Sequence, residues 1–447
     1  MKRVESTSAP CDHSLLGCEH PLREDLVDEV HARPSDALDT PCRATFVAKL
    51  IDPGERAREL RHLSVLCSLF SVEPPMPEAN HFVAALGPLK LKWERHGEFS
   101  GYTFIAAGLS PKPFSEPPVL LLPPGWLAGL PGQVLVAAHA KIVAMPAEGV
   151  DAEFLARHFA DNLVLGGDIG EHAGMAYTDF RVHADGFSRF LLIDKAFTVR
   201  QAGRMLQRLF EIETYRMMAL LALPVARQQS TRLVDIGTAL ASVTTDIASG
   251  SVDDEALLHK VTRLAAEVES GLAASQFRFG ACRAYGELVA TRIAELREAR
   301  QPGIQPIGEF MTRRFTPAVA TCAAVSQRLR DLSERVARAS ALLSTRVDIA
   351  RERQNQALLA SMDRRAKAQL RLQQAVEGLS VAAIVYYAAG LVGYLTKGLK
   401  SAGVHVEPDL LIGASIPLLF VMVFIVTRRA RRRLTRNDRL HPADEAS

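Results

Sequence analysis

Three groups of residues bring together side chains that can hold or move a proton. Trp93, Glu94, Arg95, His96 and Glu98, with Phe99 beside them, read as the corner of a hairpin. Asp179, Arg181, His183 and Asp185 fall at every second position, the spacing that puts side chains on one face of a strand. Glu29, His31 and Arg33 sit together where a short helical pattern stops at Pro34. A carboxylate and an imidazole within hydrogen-bond reach are the parts of general acid/base catalysis, and an arginine among them would hold an anion. The same residue types also build same-face ion-pair ladders and solvated helix caps, which need no substrate. No Ser/His/Asp, Cys/His, HExxH, Walker or GxGxxG pattern accompanies these groups, so no catalytic residue is assigned.

Cys11, His13, Cys18 and His20 invite a zinc reading. Zinc sites of that type pair their ligands about two to four residues apart, whereas these cysteines are seven apart in a polar stretch. No metal and no cofactor is expected. The six cysteines are scattered without paired spacing. No apolar core of about seven residues follows Lys2 and Arg3, so no secretory signal is expected. A reducing cytoplasm would leave the cysteines as thiols, without a structural disulfide.

Positioning these groups requires a scaffold, and the hydrophobic period supplies one. Strand-like runs bounded by Gly or Pro occur at Ala44–Ile51, Leu89–His96, Gly101–Ala107, Gln133–Ala144, Asn162–Gly166, Met175–Ala184 and Phe187–Ile193. Between them lie helical patterns at Arg56–Phe70 and Ala152–Phe159. Successive strands with few intervening helices predict a mixed α+β domain over residues 20–198, after a flexible tail at 1–19. From residue 199 the period becomes helical and stays so to 378. Gly203–Leu223, closed by Pro224, Thr231–Ser249, closed by Gly250, and Asp253–Arg300 predict long helices that pack on one another as a bundle or coiled coil. After a break at Pro302–Pro306, a last helix starts beyond Pro317. Leu343, Val347, Ala350, Gln354, Leu358, Met362, Ala366 and Leu370 mark one stripe along it. Such a seam packs against other helices of the chain or against symmetry mates.

Two segments then carry no charge over 18 residues each, Leu379–Thr396 and Leu410–Thr427. At the helical rise each is roughly 27 Å long, close to the hydrocarbon thickness of a bilayer, which predicts a two-helix transmembrane hairpin. Eleven Lys and Arg flank the pair on its outer sides and two lie in the connector, so both termini are expected in the cytoplasm, with 428–447 a basic cytoplasmic tail. Within the first span Tyr386, Tyr387, Gly390, Gly393 and Tyr394 stand out as candidates for close helix packing or a pore lining.

The composition, 48% apolar and 23% charged with a formal charge of +3, is that of a globular chain. Most of the excess charge is in the arginine tail, so nucleic acid is not an expected partner; the lipid bilayer is.

The strings HPLREDLVDEVHARP, LKWERHGEFSGYTF, TDFRVHADGFSRFLL, RLFEIETYRMMALLALPVAR and RFGACRAY, with the long segment from Thr345 to Tyr387, together resemble domain of unknown function 3422, a family of bacterial membrane-anchored proteins. The resemblance spans roughly His20 to Arg433 and implies a cytoplasmic body with C-terminal anchoring helices in the inner (plasma) membrane. It brings no activity and no catalytic residues. The arrangement of domain, long helix and two spans also looks like CorA-type magnesium channels. Where those carry Gly-Met-Asn, this chain reads Gly393-Tyr394-Leu395-Thr396. Three functions follow as expectations: an anchored protein whose body oligomerises or binds a protein partner, a channel or transporter without magnesium selectivity, or a membrane-surface enzyme.

Overall fold

The computed structural model describes residues 20–23, 26, 27, 37–401 and 408–437. Glu29, His31 and Arg33, like Cys11, His13 and Cys18, lie outside the described residues. By compactness the chain divides into two units, Met1–Ala341 and Leu342–Ser447.

The first unit is organised by one sheet of eight strands: β1 (Cys42–Leu50), β2 (His81–Leu86), β3 (Leu89–Arg95), β4 (Phe99–Ala107), β5 (Gln133–Ala144), β6 (Leu165–Ile169), β7 (Gly174–Thr178) and β8 (Ser188–Asp194). Their order is β2-β3-β4-β1-β5-β8-β7-β6, antiparallel throughout except for the parallel β5–β8 pair. Helices α1 (Arg56–Leu69), α2 (Trp126–Gly129) and α3 (Ala152–Phe159) lie on one face. On the other lie α4 (Val199–Leu220) and the helices packed on it, α5 (Ala222–Ser249), α6 (Asp254–Leu296), α7 (Ile307–Arg314) and the start of α8 (Thr316–Ser401). The pleat therefore serves two cores. Leu91, Trp93, Tyr102 and Phe104 meet α1, while Phe99, Ile105, Phe190 and Leu192 meet α4.

The sequence pattern missed β2, which forms an edge strand with alternating exposure and only a short apolar run. Two further expectations are corrected. Asp179–Asp185 is not a strand: β7 stops at Thr178 and Phe180 turns the chain out with φ 50°. The Asp179 carboxylate accepts from the Arg181 amide at 3.2 Å and that of Asp185 from the Phe187 amide at 3.0 Å. Aspartates that bond their own backbone replace a strand ladder with turns. Nor does Pro224 close a helix. It sits in the first turn of α5, where its missing N–H has no partner to lose. The segment after α6 also pairs with the edge of β6, through Leu165 with Gln305 and Asp168 with Ala299.

One buried carboxylate ties α1 to the sheet. Glu59 is fully buried, and its Oε1 accepts from Trp93 Nε1 at 2.8 Å and from the Tyr102 hydroxyl at 2.6 Å. Arg56 reaches Oε2 at 3.3 Å and anchors itself on Ser100 Oγ and the His96 carbonyl. Glu59→Leu leaves two buried donors without an acceptor and Arg56 without its counter-charge, and should cost about 3–5 kcal/mol in urea unfolding. Glu59→Gln keeps an acceptor oxygen and should cost about 1–2 kcal/mol.

His139 is buried on the α3 side, its Nδ1 3.0 Å from Thr45 Oγ1 and its ring 3.9 Å from that of Phe187. Burial, only partly offset by Asp185, lowers its pKa to about 4. The unfolded chain therefore takes up the proton first as pH falls, and the contribution, complete above about pH 6.5, is lost down to about pH 4. Unfolding free energy should drop by up to about 3 kcal/mol across that window, and His139→Gln should flatten that part of the profile.

The second unit contains the distal part of α8 and α9 (Pro408–Asn437). Both helices are long and apolar enough to cross a membrane.

Candidate functional site

Strand alternation sends Lys92 and Glu94 toward α4 while Trp93 and Arg95 face the other way. Lys92, Glu94 and His96, with Gln207, Glu211 and Tyr215 of α4, surround a cavity of about 50 Å³ that Thr103 and Thr214 also line and whose apolar wall includes Phe46, Phe99, Ile105, Leu206 and Phe210. A mostly apolar pocket with a few convergent polar groups is the usual form of a small-ligand site.

Inside it the charges are answered one by one. Lys92 Nζ lies 3.0 Å from Glu94 Oε1 and donates to Gln207 Oε1 at 3.3 Å. Gln207 Nε2 in turn donates to Glu211 Oε1 at 2.7 Å, and Arg292 of α6 donates to Glu211 Oε2. Arg292 also reaches Glu295, which is held by Arg208 at 3.1 Å. Burial pulls the Arg292 pKa down, but the Glu211 carboxylate outweighs it and the net shift is upward. Glu98 receives both terminal nitrogens of Arg278, at 2.8 and 3.0 Å. Tyr215 and Tyr285 stack at 5.7 Å. Burial, then Glu211, raises the Tyr215 pKa, and burial with Glu98 pushes Tyr285 up to about 12. Both tyrosines therefore stay protonated at neutral pH, able to donate a hydrogen bond but not to act as bases. His96 lies against Phe99, with ring centroids 4.3 Å apart. Among the described residues, Glu94 faces Lys92, Glu211 faces Arg292 and Glu98 faces Arg278.

The predicted clusters do not meet. Of the first, Glu94, His96 and Phe99 line this cavity and Glu98 pairs with Arg278, while Trp93 belongs to the Glu59 network and Arg95 is held by Asn80 at 2.9 and 3.1 Å. Of the second, Asp179 is buried and accepts from Asn162 at 2.8 Å, with His183 Nε2 also 2.8 Å away, while Arg181 is exposed. β3 and β7 stand five positions apart in the sheet, roughly 24 Å at the usual strand spacing. Shared acid/base chemistry needs hydrogen-bond reach, so an enzyme joining these two clusters is ruled out. Among the described residues no group of three or more His, Cys, Asp or Glu could hold a metal ion.

In the second unit, Gly393 faces α9: a Cβ there would lie 3.1 Å from Ile412. Val385, Ala389 and Thr396 are buried on the same side. Tyr386, Tyr387 and Tyr394 are exposed, and nothing lies within 4 Å of a Cβ built on Gly390. Helix spacing divides these five between two faces, Tyr386 with Gly393 and Tyr387 with Gly390 and Tyr394, and of the five Gly393 meets the other helix.

Sequence reasoning missed Lys92, Gln207, Glu211, Tyr215, Arg278 and Arg292. Lys92 and Glu94 alternate visibly, and Glu211 stands out on an apolar helix; which charge meets which depends on how sheet and helices stack.

An α/β sheet domain followed by long helices and a C-terminal apolar helix is the class these elements define. Within that class the chain belongs to the family described as "Protein of unknown function (DUF3422)", whose model matches residues 18–434. Among solved structures, that titled "structure of the full-length CmaX protein" is similar at 11% identity, covering 67% of this chain and 94% of that one, with a TM-score of 0.20. The architectural likeness to CorA-type channels gains no support from these matches. No curated protein matches.

The Glu211 and Arg292 pair is half-screened by solvent, so Glu211→Gln should cost about 1–2 kcal/mol in urea unfolding. A double-mutant cycle with Lys92→Met should show coupling of about 0.5 kcal/mol or more if the relay through Gln207 is continuous; additive effects would mean independent pairs.

Proposed function

We propose that this protein is a membrane-anchored scaffold of the bacterial inner membrane, whose body and long helix bind a second copy of the chain or a protein partner. The observation that carries this is the outer surface of α8. Leu358, Met362 and Leu370 follow one another at helical spacing and are 62%, 60% and 53% exposed, and Leu359, Leu372 and Val376 extend the apolar surface. A helix that keeps such residues bare in water is unstable alone, and a partner helix covering the stripe removes that cost. The two uncharged segments, 379–396 and 410–427, would serve as the anchor, and the Lys and Arg on their outer sides support both termini lying in the cytoplasm. The bare Tyr386, Tyr387 and Tyr394 would then face lipid or a neighbouring copy. Recognition rather than turnover is the role supported by the matched charges of the α4 cavity.

The chain should remain in the membrane pellet after alkaline carbonate washing and run as an oligomer, or with a bound protein, in size-exclusion chromatography with light scattering in detergent. Leu358→Glu combined with Met362→Glu and Leu370→Glu should shift it to the monomer mass while leaving it in the pellet. A wild-type monomer with no co-purifying protein would sink the scaffold reading. Recovery in the soluble fraction after gentle lysis would sink the anchor.

A further inference from the structure

On the sheet face turned away from α4, β1 and β5 place Arg43 directly across from Lys141. Like charges in that position repel and destabilise a strand pair unless something lies between them. The neighbouring rung adds Thr45 opposite His139, and parallel β8 sets Arg189 beside His139, so three cations occupy two rungs. Arg189 is partly answered. It donates to the His158 carbonyl at 3.1 Å, lies 3.9 Å from Asp185 and covers the Phe114 ring at 5.3 Å.

The other two cations are not answered. Lys141 is 8% exposed, and among the described residues neither its ammonium nor the Arg43 guanidinium has a hydrogen bond or an ion pair. The Arg43 Nε is buried without an acceptor. Burial lowers the Lys141 pKa. Contrast Lys92, on the opposite face of the same sheet, which sits against Glu94 and Gln207.

Both cations open on one small cavity of about 10 Å³ beneath Ser110, Phe114 and Pro117–Pro118. Glu116 also borders it but pairs with neither cation. The Ser110 hydroxyl gives its proton to the Lys112 carbonyl. Such a volume is close to that of a single water-sized sphere; a halide, somewhat larger, enters once the flexible Arg43 and Lys141 side chains draw back, whereas a tetrahedral oxyanion needs far more space. Arg43 is half-buried and Lys141 nearly so, which leaves their charged ends only a narrow opening to water, and an anion seated between the two would offset their mutual repulsion.

We infer that the Arg43–Lys141 cavity is a binding site for one monoatomic anion, a halide, which in the cell means chloride. The site lies in the sheet of the first unit and is independent of the scaffold reading.

The test is thermal unfolding of the full-length chain in detergent, followed by tryptophan fluorescence. Sodium chloride, bromide, phosphate and gluconate are compared at matched ionic strength. Chloride and bromide should raise the wild-type Tm over gluconate by about 2–4 °C. Lys141→Met and Arg43→Gln should each abolish that difference. Lys141→Met should also unfold at a higher temperature than wild type in gluconate, since it removes the like-charge repulsion with Arg43, and this identifies a folded variant. In crystals grown from bromide, an anomalous peak should lie in contact with Lys141 Nζ and Arg43. Equal Tm in chloride and gluconate, or a chloride effect that survives Lys141→Met, would overturn the inference. Stabilisation by phosphate and not by chloride would overturn the single-ion assignment.

Discussion

A sheet covered on both faces leaves no neutral side for a strand. Every residue of β1, β3, β4, β5 and β8 points into one of two layers, so each polar side chain on them must find its counterpart within the layer it enters. Most features of the first unit follow from that requirement. Trp93 and Tyr102 point toward α1 and meet Glu59; Lys92 and Glu94, one residue out of phase, point toward α4 and meet each other, then Gln207. Adjacent residues of one strand thus belong to unrelated networks.

These networks differ in how completely they close. Around Glu59 three donors converge on one carboxylate, an arrangement that locks α1 against the sheet and leaves nothing over for a ligand. Along α4 the relay from Lys92 through Gln207 and Glu211 to Arg292 alternates in sign and runs beside an apolar cavity, so polar groups are held at fixed positions around an open volume. At Arg43 and Lys141 the alternation fails, and two cations share one small space. Partner satisfaction, more than residue type, separates structural charge from charge that awaits something.

The second unit obeys the opposite rule. Its helices bury little within the chain, and what α8 and α9 share is narrow: Val385, Ala389, Gly393 and Thr396 on one side of α8, with Ile412 of α9 against Gly393. Small residues at that face let two backbones come close, and larger apolar side chains are left outward. What the two helices have in place of a buried core is length and apolar composition enough to cross a membrane.

Sequence alone determined the repeating units, because side-chain period is a local property. Alternation marked β3, β5 and β8 within a few residues, the helical period marked α3 to the residue and the long helices after residue 199, and the two uncharged segments were plain from composition. It also singled out Glu94 and His96, two members of the α4 cavity. Tertiary structure decided the rest. Whether Asp179 continues a strand or folds back on its own amides turns on a local competition that alternation does not register. Lys92 needs Gln207 and Glu211 needs Arg292, far along the chain, and Arg43 faces Lys141 only because β1 pairs with β5 in one register. Which strands neighbour each other, and which helix covers which face, is set by burying all the apolar rows at once, and no window of sequence contains that sum.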